Sequence, residues 1–124
     1  MPTKTEGTHI GDVLLYEADN FYSRETATIA AGADLTAGAV LGKITASGKF
    51  ALSAPGASDG SEDPVAVLLA DAAAASADVE KALIVVRHAT VRRQALNYHA
   101  SIDTAGERTT ALAALAALGI VTDE

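Results

Sequence analysis

Apolar positions in this chain fall in short runs separated by small and polar residues, the pattern of strands joined by turns. Residues 39–44 and 49–53 flank Ala46-Ser47-Gly48 and predict a hairpin. Gly38 and Gly42 lie at and within the first of these runs, where glycine signals a tight turn or a close backbone approach. Residues 54–64 are rich in Pro, Gly, Ser and acids and predict a surface loop. Val65-Ala66-Val67-Leu68-Leu69-Ala70 is apolar throughout, as expected of a central strand covered on both faces. One further strand is predicted over 82–91. It places Leu83, Val85 and Val91 on one face, interrupted by Arg87, and Ile84, Val86, His88 and Thr90 on the other. Ala72-Ala73-Ala74-Ala75 has helix propensity, but it is short and bracketed by Asp71 and Ser76, so it predicts a loop or one helical turn. Residues 92–98 predict another short helix.

The clearest helix signal spans 105–118. Thr104 and Glu107 form a capping-box pattern at its start. Gly119 stands where a left-handed residue ends a helix, and Ile120 is placed to pack back on Leu115. Leu112, Leu115 and Leu118 form one apolar edge, with Ala111, Ala114 and Ala117 beside it. Such a face suits close packing on a sheet of the same subunit or on a symmetry mate.

Residues 1–30 differ from 31–124. They lack sustained periodicity, yet hold the apolar clusters Val13-Leu14-Leu15-Tyr16 and Phe21-Tyr22 and three of the five aromatics. A solvated tail is normally poor in aromatics. The segment therefore predicts an arm that docks on its own subunit, a neighbour or a partner, or else an ordinary first strand. The expected organisation is an arm, 1–30, and a β-rich domain, 31–124, carrying the helix 105–118.

Composition moves the picture toward association. Of the 124 residues, 28 are alanine and none is tryptophan, so the core must rest on Leu, Ile and Val. Alanine buries little surface, and stability scales with apolar area removed from water. A domain with such small side chains gains from oligomerisation. The net charge of −7 argues against nucleic-acid binding, which needs a cationic surface. Arg87, Arg92 and Arg93 are the one local basic cluster, and strand spacing turns Arg92 away from the other two. Without cysteine there is neither disulfide nor thiolate metal site. No run approaches the length of a membrane span, and Lys4, Glu6 and Asp12 interrupt any secretory signal. The expected setting is the cytoplasm, or a particle assembled there.

Catalytic chemistry is not legible. His9, His88 and His99 share no metal-ligand spacing. No Gly-x-Ser-x-Gly or phosphate-loop motif occurs. Asp59, Glu62 and Asp63 gather three acids near Ser58 and Ser61, without the spacing of a calcium loop. The expectation is no enzyme, no cofactor and no metal.

The order of elements over 31–121 resembles the lambda-type phage head decoration (head-stabilising) protein family. The likeness rests on Leu35-Thr36-Ala37-Gly38-Ala39-Val40-Leu41-Gly42 and on the short hairpin into Lys49-Phe50-Ala51-Leu52. It rests also on the Gly/Asp-rich loop into Pro64-Val65-Ala66-Val67-Leu68-Leu69-Ala70, the strand over 81–91, and the helix running into Gly119-Ile120-Val121. A Leu-Trp-Pro turn expected before the last helix appears here as Leu96-Asn97-Tyr98. The resemblance implies an α+β, mainly β fold of the decoration-protein β-tulip type, with short helices and an extended N-terminal arm. It implies a homotrimer that binds the major capsid protein on the outer surface of an expanded head, at local three-fold positions. There it would act as a cement against internal DNA pressure, with no nucleic-acid or membrane partner. Val13, Leu14, Leu15, Tyr16, Phe21 and Tyr22 are then the expected capsid contacts of the arm. Leu112, Leu115, Ala111 and Ala114 are the candidate trimer contacts, and a cut at residue 29 should leave a folded trimer. Two rivals remain: an adhesin or receptor-binding module using the 54–64 loop, and a small β carrier domain using Lys49.

Overall fold

The computed structural model describes residues 13–17, 23–54, 56–92, 95–99, 102 and 105–122. The strands are β1 (Leu14–Glu17), β2 (Arg24–Ile29), β3 (Ala33–Leu35), β4 (Val40–Lys43), β5 (Phe50–Leu52) and β6 (Pro64–Leu68). Then follow β7 (Ala72–Ala74), β8 (Val79–Val85), β9 (Ala89–Val91), the helix α1 (Ala105–Ala116) and β10 (Ile120–Thr122). The fold is mainly β with one short C-terminal helix, as the sequence predicts. A closed barrel runs β2-β5-β4-β6-β8; beside it lie a sheet β1-β9-β10 and a ribbon β3-β7.

Two cores share one wall. Ile29, Leu41, Phe50, Ala66, Leu68, Ala82 and Ile84, one side of each barrel strand, form a single buried cluster inside the barrel. The opposite sides of β4, β6 and β8 contribute Val40, Val67 and Val85 to a second cluster with Val13, Leu69, Ala89, Val91, Leu115 and Ile120. Because side chains alternate across a strand, β6 is buried on both faces. That is why 65–70 reads as an unbroken apolar run. Helix α1 packs on β6 and β10 and closes the second core.

The predicted hairpin forms, with β4 antiparallel to β5 and Ile44 N–H donating to the Lys49 carbonyl at 2.8 Å. The helix ends at Ala116 rather than 118, through tight bonds from Leu118 to Leu115 and from Gly119 to Ala116. Gly119 has φ +86°, as expected, and Ile120 is buried in the same cluster as Leu115. Thr104 lies outside the described residues. Of 92–98, Ala95 closes a 3₁₀ turn on Arg92 and Asn97 bridges Ala39 in parallel; residues 93 and 94 lie outside the described set.

Two local readings are corrected. Ala72–Ala74 is a strand, not a helical turn or loop. Three or four alanines cannot offset the cost of helix nucleation, whereas pairing with β3 satisfies their backbone and turns Ala72 and Ala74 into the barrel core. The strand over 82–91 is two strands. The chain breaks at Val86–His88, where His88 takes φ +47° and Ser23 pins both sides. Ser23 accepts from Val86 N–H at its carbonyl, and its hydroxyl donates to the His88 carbonyl at 2.8 Å. The break sends β8 to the barrel and β9 to the other sheet.

A bulge in β8 sets Glu80 and Lys81 against Thr28, since Ala27 pairs with Ala82 and Ile29 with Val79. Lys81 takes φ +58° there, a left-handed conformation disfavoured for residues with a Cβ. Lys81→Val, which adds β-branching, is expected to lower stability by about 1–2 kcal/mol. Lys81→Gly should be close to neutral, and urea denaturation of the two variants checks the difference.

Candidate functional site

The described part of the chain leaves three large apolar side chains exposed: Leu15 at 42%, Leu118 at 39% and Val121 at 46%. Two of them belong to the sheet β1-β9-β10. Its inner face carries Leu14, Ala89, Val91 and Ile120 against the core. On its outer face Val121 pairs with Thr90, whose backbone is also in register with residue 16 of β1. Leu15 falls at a register shift between Leu14 and Tyr16, the extra residue of a bulge, and points to solvent. Leu118 sits in the turn between α1 and β10. Both β1 and β10 are edge strands among the described residues. Each open edge thus carries one exposed apolar side chain, and an open strand edge is a feature suited to protein contact.

The arm residues divide accordingly. Val13 is fully buried and its carbonyl accepts from Arg92 N–H at 2.6 Å. Leu14 is half-buried against the same core. Leu15 is the exposed member. Tyr16 is placed on β1, while Phe21 and Tyr22 lie outside the described residues. Residues 24–29 form β2, paired along most of its length with β8. A cut at residue 29 would therefore remove a barrel strand. Arg24 grips Glu17 at 2.6 and 2.7 Å through two nitrogens, tying β2 to the end of β1.

On α1, Ala111 and Leu115 point into the subunit's own core and Leu112 packs half-buried beside them. Ala114 is half-buried, and Ala113, Ala116 and Ala117 are exposed. Sequence reasoning placed Leu118 on the apolar edge but missed Val121. The alternation of buried Ile120 with exposed Val121 was the available signal.

The polar candidates are occupied by structural work. Arg87, in the corner after β8, pairs with Glu25 of β2. Lys49 Nζ contacts Asp78 Oδ2 at 2.5 Å. In the acidic loop Asp59 Oδ1 accepts from the Ser61 hydroxyl and N–H, which hold its carboxyl below the usual value. Glu62 accepts from Gly60 N–H at 2.9 Å. Among the described residues no group of three His, Asp or Glu is placed to hold a metal. His9 lies outside them.

Fold and surface together define a small, mainly β barrel protein that presents open strand edges with Leu15 and Val121 exposed on them. The chain matches the family described as bacteriophage lambda head decoration protein D over residues 3–120, and it belongs to that family. The family is a structural, non-enzymatic one, which associates this chain with the phage capsid and places it in the virion. Among curated proteins none matches the chain.

Proposed function

We propose that this protein binds as a homotrimer to the exterior of an expanded phage head, at local three-fold positions, and stabilises the head against internal DNA pressure. The family match over 3–120 carries this reading. The alanine-rich composition supports association, and a three-fold ring is a closed symmetry. Three subunits also multiply a modest contact into tight binding through effective concentration.

Within this reading the capsid contact belongs to the N-terminal stretch. Val13 and Leu14 fix β1 on the subunit, and Leu15 presents its side chain, with Tyr16, Phe21 and Tyr22 in the same stretch. The trimer contact belongs to α1, through Ala114 and Leu112, with Ala111 and Leu115 supporting them from the core.

Mixing the protein with undecorated expanded heads and imaging the particles tests the function. Saturable density at three-fold positions is expected, and bare heads at saturating protein would refute it. Leu15→Asp should weaken head binding by about tenfold or more, as for a buried apolar anchor, without shifting the thermal melt. Light scattering at micromolar concentration should report a trimer.

A further inference from the structure

Asp59–Gly60 is the one Asp–Gly pair in the chain, and neither Asn20 nor Asn97 precedes a glycine. An Asp–Gly bond is prone to rearrange on its own, because glycine has no side chain to hinder attack by its nitrogen on the aspartate carboxyl. The fold requires glycine at this place. Gly60 has φ +105°, and a Cβ there would collide with Thr45 Oγ1 and lie 2.8 Å from the Lys43 carbonyl oxygen. Asp59 is exposed, so water reaches it. Yet both groups that would react are engaged. Asp59 Oδ1 accepts from the Ser61 hydroxyl at 2.6 Å and from the Ser61 N–H at 3.0 Å. The Gly60 N–H donates to Glu62 Oε1 at 2.9 Å. The Asp59 carbonyl, in the same peptide group, accepts from Thr45 N–H at 2.8 Å.

We propose that Asp59–Gly60 is the chain's site of spontaneous isoaspartate formation, held back in the folded protein by Ser61, Glu62 and Thr45. In this reaction the Gly60 nitrogen attacks Asp59 Cγ. The N–Cγ bond forms, a Cγ–O bond breaks, and the oxygen leaves as water with the amide proton. A second water then opens the succinimide ring. Opening at Cγ restores aspartate. Opening at the main-chain carbonyl leaves isoaspartate, of equal mass, with the main chain routed through Cβ and Cγ. Ring closure is faster from the neutral acid, which loses water more readily than a carboxylate loses oxide. The Ser61 hydroxyl, then its N–H, favour the carboxylate and so hold the reactive form down. Glu62 keeps the Gly60 N–H in a charge-assisted bond. The Thr45 bond opposes the turn of the main chain that ring closure needs. Isoaspartate adds one carbon to the main chain and takes the Asp59 carbonyl out of it, which loosens the loop's tie to Thr45. In a virion the protein is not renewed, so the lesion would accumulate.

Peptide mapping with electron-transfer fragmentation, which tells isoaspartate from aspartate, tests this on the full-length protein incubated at neutral pH. A synthetic peptide of residues 56–63 is the reference without the tertiary bonds. Isoaspartate should appear at position 59 ahead of every other aspartate, on the order of tenfold or more slowly in the protein than in the peptide. Ser61→Ala and Glu62→Ala should each raise the rate in the folded protein several-fold, with a thermal melt showing that each variant is folded. The comparison of protein with peptide needs no substitution, and it decides even where a variant fails to fold. Equal rates in protein and peptide, earlier isoaspartate at another position, or folded variants that keep the parental rate would each overturn the proposal.

Discussion

Gly42→Ala is expected to cost the protein about 3 kcal/mol or more, the upper end for overpacking a well-filled site. A Cβ at Gly42 would lie 2.1 Å from the Ser61 carbonyl oxygen and 2.6 Å from its carbonyl carbon and Cα. All three are backbone atoms, so no side chain can rotate away. Ser61 is itself buried, and its loop is tied down by Thr45 N–H on the Asp59 carbonyl and by the Ser53 hydroxyl on the Glu62 carbonyl. The position is where β4 shifts register against β6, and the crossing loop closes over the strand. Gly38→Ala should be comparable: its Cβ would meet the Ala95 carbonyl oxygen at 2.0 Å, and φ +97° adds backbone strain. Gly106→Ala is the control. Nothing lies within 4 Å of that site in α1, so stability should hold or rise by up to about 1 kcal/mol. Equilibrium denaturation of the variants measures the contrast. A Gly42→Ala protein as stable as the parent would show that the 54–63 loop yields freely.

Leu115→Ala is expected to destabilise the subunit by about 2–5 kcal/mol, the range for emptying a buried leucine site. Leu115 is fully buried and joins α1 to Val67, Val85 and Ile120 in the second core. Its loss leaves a cavity between the helix, the barrel wall and the outer sheet. Against a total stability of about 5–15 kcal/mol for a domain, that is a large fraction. Leu112→Ala, at a half-buried site, should cost less. The measurement also separates core support from subunit contact. A residue acting within its own subunit lowers stability equally at every protein concentration, whereas an interface residue makes the loss concentration-dependent. Thermal melts over a hundredfold range of concentration decide the matter. Leu115→Ala should behave as core and Ala114→Asp as contact.

Much of the architecture was legible because local physics dictated it. The hairpin at β4–β5, the two-sided strand β6 and a C-terminal helix stopped ahead of Gly119 follow from periodicity, turn residues and helix termination, all properties of neighbouring residues. The two misread segments failed for an equally physical reason. Ala72–Ala74 has no strand propensity of its own, and became β7 because β3 offers its backbone partners and the barrel core takes up Ala72 and Ala74. Val86–His88 reads as strand, and became a corner because Ser23, more than sixty residues earlier, bonds both sides of it.

The candidate surface was half legible for the same reason. Its apolar residues near the N-terminus stand out in composition, but their division into buried Val13 and exposed Leu15 depends on pairing with β9. Val121 joined them only once β10 docked parallel to β9. By itself the sequence determined a cysteine-free, acidic, mainly β chain with no legible catalytic motif, and its order of elements carried the family likeness. Only the tertiary structure decided which apolar residues are spent inside and which are left for a partner. That choice rests on strand register, and register is set by pairings between segments far apart in the chain.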